Sequence, residues 1–186
     1  MCGIKLMRPP AIVTYMGYSG LGIVRSLGRR GIPVFTLDPN LAEIGMSSRY
    51  CNPRQCPAID KSEDGNLAFL LTLARSFPEK PVLYPTSDNV LHGYARHEDV
   101  LKPHIRLTTP GSGIIRRTAA KDALFHTARE CGMAVPETFM PKSPDDVKAI
   151  AASIPYPCLI KPVRSNSWHR EAVKIKLKQI PGETEK

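Results

Sequence analysis

Long apolar runs are missing from this 186-residue chain. Nowhere do about 18 apolar residues follow one another, which excludes a membrane-spanning helix. The opening, Met1-Cys2-Gly3-Ile4-Lys5-Leu6-Met7-Arg8-Pro9-Pro10, lacks the apolar centre of a signal peptide and is expected to be a disordered leader over residues 1–10. Aromatic residues are sparse at 6%, with a single Trp, and no aromatic–basic platform for stacking bases stands out. Cysteines number five, at irregular spacing (Cys2, Cys51, Cys56, Cys131, Cys158). No second Cys or His pair completes a zinc site around Cys51 and Cys56, so no metal ligands are assigned. Reduced thiols and a cytoplasmic location are the expectation, with Cys131 and Cys158 as small core residues. Acidic residues are also few, 17 against 26 Lys and Arg, giving a net charge of +9. Residues 161–186 alone hold seven Lys/Arg against three Glu. A solvated face and an unfolded basic tail explain that surplus better than nucleic-acid binding, which would need a basic stripe.

What the chain does have is alternation. Ala11–Met16 is a β-branched apolar run between Pro10 and Gly17, expected as a buried strand. Gly17-Tyr18-Ser19-Gly20-Leu21-Gly22 follows, with Ser19 as the expected N-cap of a helix that Gly31 stops. Ile32–Leu37 is the next strand, closed by Asp38-Pro39-Asn40, and the three pieces make a βαβ unit. Residues 41–62 are expected to be mostly loop, with a short extended Ser48–Cys51. A helix over Asn66–Phe77, a strand over Pro81–Pro85, a helix opened by Thr86-Ser87-Asp88 and an extended Ile105–Leu107 continue the pattern. This is the mark of a doubly wound parallel α/β layer. Thr109–Gly113 is a boundary. A helix ended by Gly132 comes next, then one opened by Ser143-Pro144-Asp145-Asp146 with Val147, Ile150 and Ala151 facing inward. A strand over Tyr156–Lys161 follows, and residues 164–178 alternate weakly (Ala172, Val173, Ile175, Leu177) before a polar tail.

Two places could hold chemistry. The Gly17/Gly20/Gly22 loop, with Ser19, hands a strand over to a helix, where backbone amides and the positive helix end attract a carboxylate or phosphate. Its Gly-x-x-Gly-x-Gly spacing departs from a dinucleotide fingerprint, although Asp38 stands where the ribose-binding acid of such folds would be. A turn-initiating Asp accounts for Asp38 equally simply. Capping accounts for Ser87 and Asp88, and the five histidines show no metal or nucleophile–base spacing. The second place is a pair of lysines. Lys121 lies in the first turn of a helix, and Lys161 ends an apolar strand that would deliver its ammonium to one point as a phosphate ligand.

The run Arg117-Thr118-Ala119-Ala120-Lys121-Asp122-Ala123-Leu124-Phe125, then Cys131-Gly132-Met133-Ala134-Val135-Pro136-Glu137-Thr138, then Tyr156-Pro157-Cys158-Leu159-Ile160-Lys161-Pro162, resembles the opening of an ATP-grasp domain. The likeness is to predicted carboxylate–amine ligases related to carbamoyl-phosphate synthase and biotin carboxylase, and covers roughly residues 11–163. It implies a Rossmann-like domain over 11–109, a partial ATP-grasp lobe of α+β type over 110–178, and a disordered tail over 179–186. It further implies that Lys121 and Lys161 contact ATP phosphates and that the Gly17–Gly22 loop faces the acceptor substrate. Intact relatives would use ATP and magnesium to turn a carboxylate into an acyl phosphate that an amine displaces. The lid glycines and magnesium-binding acids of such enzymes are absent after Lys161, so this chain is expected to be truncated and inactive alone, with self-association through the incomplete lobe. The alternative is a non-enzymatic Rossmann-like module that binds an anion or a partner.

Overall fold

The computed structural model describes residues 8–119, 121–151, 153–155 and 157–159. The leader through residue 7, Lys161 and the basic tail lie outside them, as do Tyr156 and Ile160 of the expected final strand. The chain divides into two compact units, residues 1–115 and 116–186.

The first unit is built on five parallel strands: β1 (Ala11–Thr14), β2 (Val34–Asp38), β3 (Cys51–Gln55), β4 (Val82–Pro85) and β5 (Arg106–Leu107). Their order is β3-β2-β1-β4-β5, the doubly wound arrangement expected from the alternation. Every residue of β1 is buried because helices cover both faces of its sheet, which is why it reads as a continuous apolar run. On one face Val13 and Val34 pack with Val24 of helix α1 (Tyr18–Gly28) and Met46 of a short 3₁₀ turn (Ile44–Ser47). On the other, Ile12, Leu37 and Leu83 pack with Leu67 and Leu70 of α2 (Glu63–Arg75), Val90 and Tyr94 of α3 (Asp88–Arg96) and Leu101 of α4 (Glu98–Leu101).

Several local expectations shift. Strand β1 stops at Thr14 rather than Met16, because Tyr15 takes a positive φ of 63° and turns the chain out of the sheet. Gly17, not Ser19, is the N-cap of α1. The helix does end at Gly31 (φ 71°), where the Gly31 and Ile32 amides donate back to the Gly28 and Leu27 carbonyls in a Schellman motif. Residues 41–62 are more ordered than expected, holding the 3₁₀ turn and β3. That strand begins where the expected Ser48–Cys51 segment ends and runs through Pro53. Proline fits there because β3 is an edge strand, where one ladder donor can be lost. Helix α2 starts three residues before Asn66: the Ser62 hydroxyl accepts the Gly65 amide, and Glu63 and Asp64 sit in the positive first turn.

The second unit contains α6 (Lys121–Glu130) and α7 (Pro144–Ala151); α5 (Ser112–Ala119) leads into it. Helix α6 ends at Gly132 (φ 72°) in a second Schellman motif, the Met133 amide donating to the Ala128 carbonyl. At α7 the expected start is found: the Asp146 amide donates to the Ser143 hydroxyl, and Asp146 Oδ2 accepts from the Ser143 amide. Two expectations about burial fail. Val147 is 51% exposed, since no described element covers the apolar face of α7. Cys131 and Cys158 are exposed, and Cys56 is the buried thiol instead. Residues 133–142 pair with no strand.

Candidate functional site

Sheet order reverses between β1 and β4, and in open α/β layers ligands bind outside the carboxyl ends of the strands at that point. Two loops meet there. One carries Tyr15–Gly17 from β1 into α1, and the other carries Thr86-Ser87 from β4 into α3. The Thr86 hydroxyl binds them together, donating to the Thr14 carbonyl at 2.8 Å and also contacting the Tyr15 carbonyl. The Thr86 amide donates to the same Thr14 oxygen at 3.2 Å.

Tyr15 sits in a backbone region that costs a non-glycine residue energy, so its neighbours must hold it. Its amide donates to the Leu37 carbonyl at 2.9 Å. The next amide, Met16, donates to Asp38 Oδ2 at 2.7 Å, and the Met16 carbonyl accepts from Gly45 at 2.8 Å. Gly20 is required here, because a Cβ would lie 2.7 Å from the Tyr15 carbonyl oxygen. Gly17 and Gly22 face open space. Ser19 and Tyr18 are exposed, Tyr18 at 84%.

Helix α1 differs at its N-terminus from α2 and α7. No side chain caps it, and no acid lies in its first turn. The first-turn amides of any helix have no partner within the helix, so this end keeps its attraction for an anion.

Asp38 is where the sequence left two readings open, and the structure places it in the plainer one. It is 4% exposed, and its carboxylate is engaged by two backbone amides, Met16 on Oδ2 and Asn40 on Oδ1 at 2.8 Å. It fixes the β1 and β2 ends rather than reaching out to a ribose. Beneath it lies a buried polar chain that the sequence did not reveal. Tyr94 Oη donates to Asn66 Oδ1 at 2.9 Å, and Asn66 Nδ2 donates to the Pro57 carbonyl at 2.7 Å. Asn66 was read as a helix opener, yet its spacing from Leu70 and Ala74 already put it on the inward face. Burial, with the nearby Asp38 charge, pushes the Cys56 thiol up to about 11, which makes it inert. Burial likewise raises the Tyr94 phenol, and burial followed by the Asp60 charge raises that of Tyr15. The Ser87 hydroxyl oxygen, at the head of α3, is buried and makes no hydrogen bond.

Of the lysine pair, Lys121 is the first residue of α6 and half-buried. Lys161 lies outside the described residues. No group of three His, Cys, Asp or Glu side chains suited to a metal is found among the described residues. No described helix is long and apolar enough to cross a membrane.

A parallel layer of this order, followed by further helices, has counterparts among solved structures. The chain is similar to an L-amino acid ligase from Bacillus licheniformis, with a TM-score of 0.63 at 13% identity over 86% of this chain. It is also similar to the biotin carboxylase domain of a single-chain bacterial carboxylase, with a TM-score of 0.54 at 14% identity over 77% of this chain. It spans 37% and 34% of those chains, about a third of each. At such identities the likeness is one of fold. No family model matches the sequence, and no curated protein does.

Proposed function

We propose that this chain is the opening portion of an ATP-dependent ligase, one in which ATP converts a carboxylate into an acyl phosphate for attack by an amine. The observation that carries the reading is the fold match to an L-amino acid ligase across 86% of this chain, with Lys121 at the head of α6. In this reading Lys121 and Lys161 neutralise phosphate charge, an electrostatic role that needs a fixed ammonium. The uncapped head of α1, with Gly17, Ser19, Gly20 and Gly22, receives the carboxylate of a small-molecule substrate. Magnesium would come with ATP and take its protein ligands from elsewhere in a complete enzyme. Small-molecule carboxylates and amines are the partners, and the cytoplasm the compartment.

Thermal unfolding tests it. Millimolar ATP should raise the melting temperature, and Lys161→Ala or Lys121→Ala should each remove most of the rise. A melting temperature indifferent to ATP would sink the nucleotide reading and leave the fold alone.

One observation favours a second reading, a non-enzymatic module that binds an anion: α1 lacks both a side-chain cap and a first-turn acid. Acetate or phosphate protection of the α1 amides from hydrogen exchange, with no response to ATP, would select it.

A further inference from the structure

Thr109-Pro110-Gly111-Ser112-Gly113 has the composition of a flexible joint. The structure ties it down on both sides. Ahead of it, the Arg106 amide donates to the Pro81 carbonyl at 2.8 Å, and the Thr108 hydroxyl donates to the Leu83 carbonyl at 2.7 Å. The chain therefore leaves β5 still fastened to β4. Behind it, Ile115 is buried, and the Ile114 and Ile115 amides donate to the Gly111 carbonyl at 3.0 and 3.2 Å. Neither Gly111 nor Gly113 takes a positive φ, so neither uses the backbone freedom that glycine offers a turn.

One side chain from another element reaches into this segment. Glu98, the first residue of α4, stands 14 residues earlier in the chain. Its Oε2 accepts the Ser112 amide, the first of α5, at 3.1 Å. A first-turn amide has no partner within its own helix, so the carboxylate caps α5 from outside. The other oxygen, Oε1, takes the Lys102 ammonium at 2.5 Å. That i,i+4 pair lies within and just past α4 and accounts for Lys102, but not for Ser112. Glu98 is held from two sides and only 18% exposed, and α4 itself is seated in the core by the fully buried Leu101. The Lys102 hydrogen bond, followed by that of the Ser112 amide, keeps this carboxyl below the usual range. The two compact units divide between Ile115 and Arg116, which is inside α5 and not at the glycines.

We propose that Glu98 is an anchor that displaces the joint of this chain: it fastens Gly111–Gly113 and the head of α5 to the first unit, so that local freedom begins beyond Ile115. A glycine-rich stretch thereby becomes part of the folded layer, and the helical residues Arg116–Ala119 become the point of release. The anchor lies wholly within the first unit and does not depend on the ligase reading.

Amide hydrogen exchange of the full chain, followed residue by residue by NMR, tests the anchor. The Ser112, Ile114 and Ile115 amides should be protected in the unaltered chain. Glu98→Ala should speed their exchange about tenfold, through loss of a charge-assisted contact, and open Gly111–Gly113 to limited proteolysis. Glu98→Gln keeps a neutral acceptor and should fall between. Lys102→Gln removes the ion pair but leaves the cap, so exchange at Ser112 should change by less than about twofold. Amides of β1 should be unaffected in all three, which shows that the layer stays folded. Unprotected Ser112, Ile114 and Ile115 amides in the unaltered chain would overturn the proposal, as would unchanged exchange in Glu98→Ala. A loss in Lys102→Gln equal to that in Glu98→Ala would also overturn it, by assigning the effect to the ion pair. Should Glu98→Ala lose β1 protection as well, the two Gln variants decide: faster exchange at Ser112 in Glu98→Gln alone supports the anchor, and equal exchange in both refutes it.

Discussion

Asp38 and Glu63 show how differently two carboxylates can serve one fold. Asp38 is buried and engaged by two backbone amides, whereas Glu63 lies about one-third exposed between Arg96 (2.6 Å) and His97 (2.8 Å). Removing the Asp38 carboxylate strands two donors at the ends of β1 and β2. Asp38→Ala should therefore destabilise the first unit by roughly 2–3 kcal/mol, measured by urea unfolding, and a loss below half of that would refute its clamping role. For Glu63 the effect is smaller and depends on pH. The Arg96 hydrogen bond, aided by His97, holds its pKa below the ordinary 4.5. A depressed folded pKa means the stabilisation is fully present above the unfolded value and is lost as pH falls through the folded one. Glu63→Gln should cost at most about 0.5–1 kcal/mol near neutral pH, discounted for the exposure of both partners. That deficit should shrink to nothing in the acid window below 4.5, and a deficit independent of pH would show that packing, not charge, is responsible. Neither role was legible in the sequence. A turn-forming Asp before Pro39 and a ribose-binding Asp look alike until the Met16 amide is placed against one of them. Glu63 meets Arg96 only because α2 and α3 pack on the same face.

At the scale of elements, helices α2 and α7 carry the same signal and put it to different use. Both begin with Ser whose hydroxyl accepts an amide three residues on, followed by acids in the first turn. The sequence announced α7 plainly through Ser143-Pro144-Asp145-Asp146. It concealed the start of α2, where Gly65 and Asn66 resemble a loop. What differs is cover: α2 buries Leu67, Leu70 and Ala74, and α7 buries nothing among the described residues. Ser62→Ala should therefore lower the global stability of the first unit by about 1 kcal/mol. Ser143→Ala should fray α7 without moving that transition. Circular dichroism melts of the two variants decide this, and an equal shift in both would mean that α7 is coupled to the core. Edge strand β3 was the least legible element for a related reason. Its residues, Cys-Asn-Pro-Arg-Gln, carry neither alternation nor β-branching, and the backbone ladder to Val34–Asp38 alone makes it a strand.

At the scale of the whole molecule, the burial that makes a fold cooperative lies, among the described residues, before Arg116. Both hydrophobic clusters belong to the first unit, running from Ala11 to Ile105, and α6 and α7 contain no buried residue. The sequence showed the parallel layer well, because a strand covered on both faces leaves an unbroken apolar run and its crossover helices leave periodic ones. It overstated the burial of α7. A periodic face such as Val147, Ile150 and Ala151 says that a helix can be buried, not that something buries it. Helices of ten and eight residues are marginal without packing, so their backbone hydrogen bonds should open by local fluctuations. Native-state hydrogen exchange should thus separate the chain at about residue 115. Amides of β1, β2 and β4 should exchange only through global unfolding and lose protection together with rising denaturant. Those of α6 and α7 should exchange orders of magnitude faster, with little denaturant dependence. If ATP engages Lys121, protection should rise first at the head of α6 and leave β1 untouched. Amides of α6 found as protected as those of β1, in the free chain, would mean that the second unit has a core of its own and would overturn this division of stability.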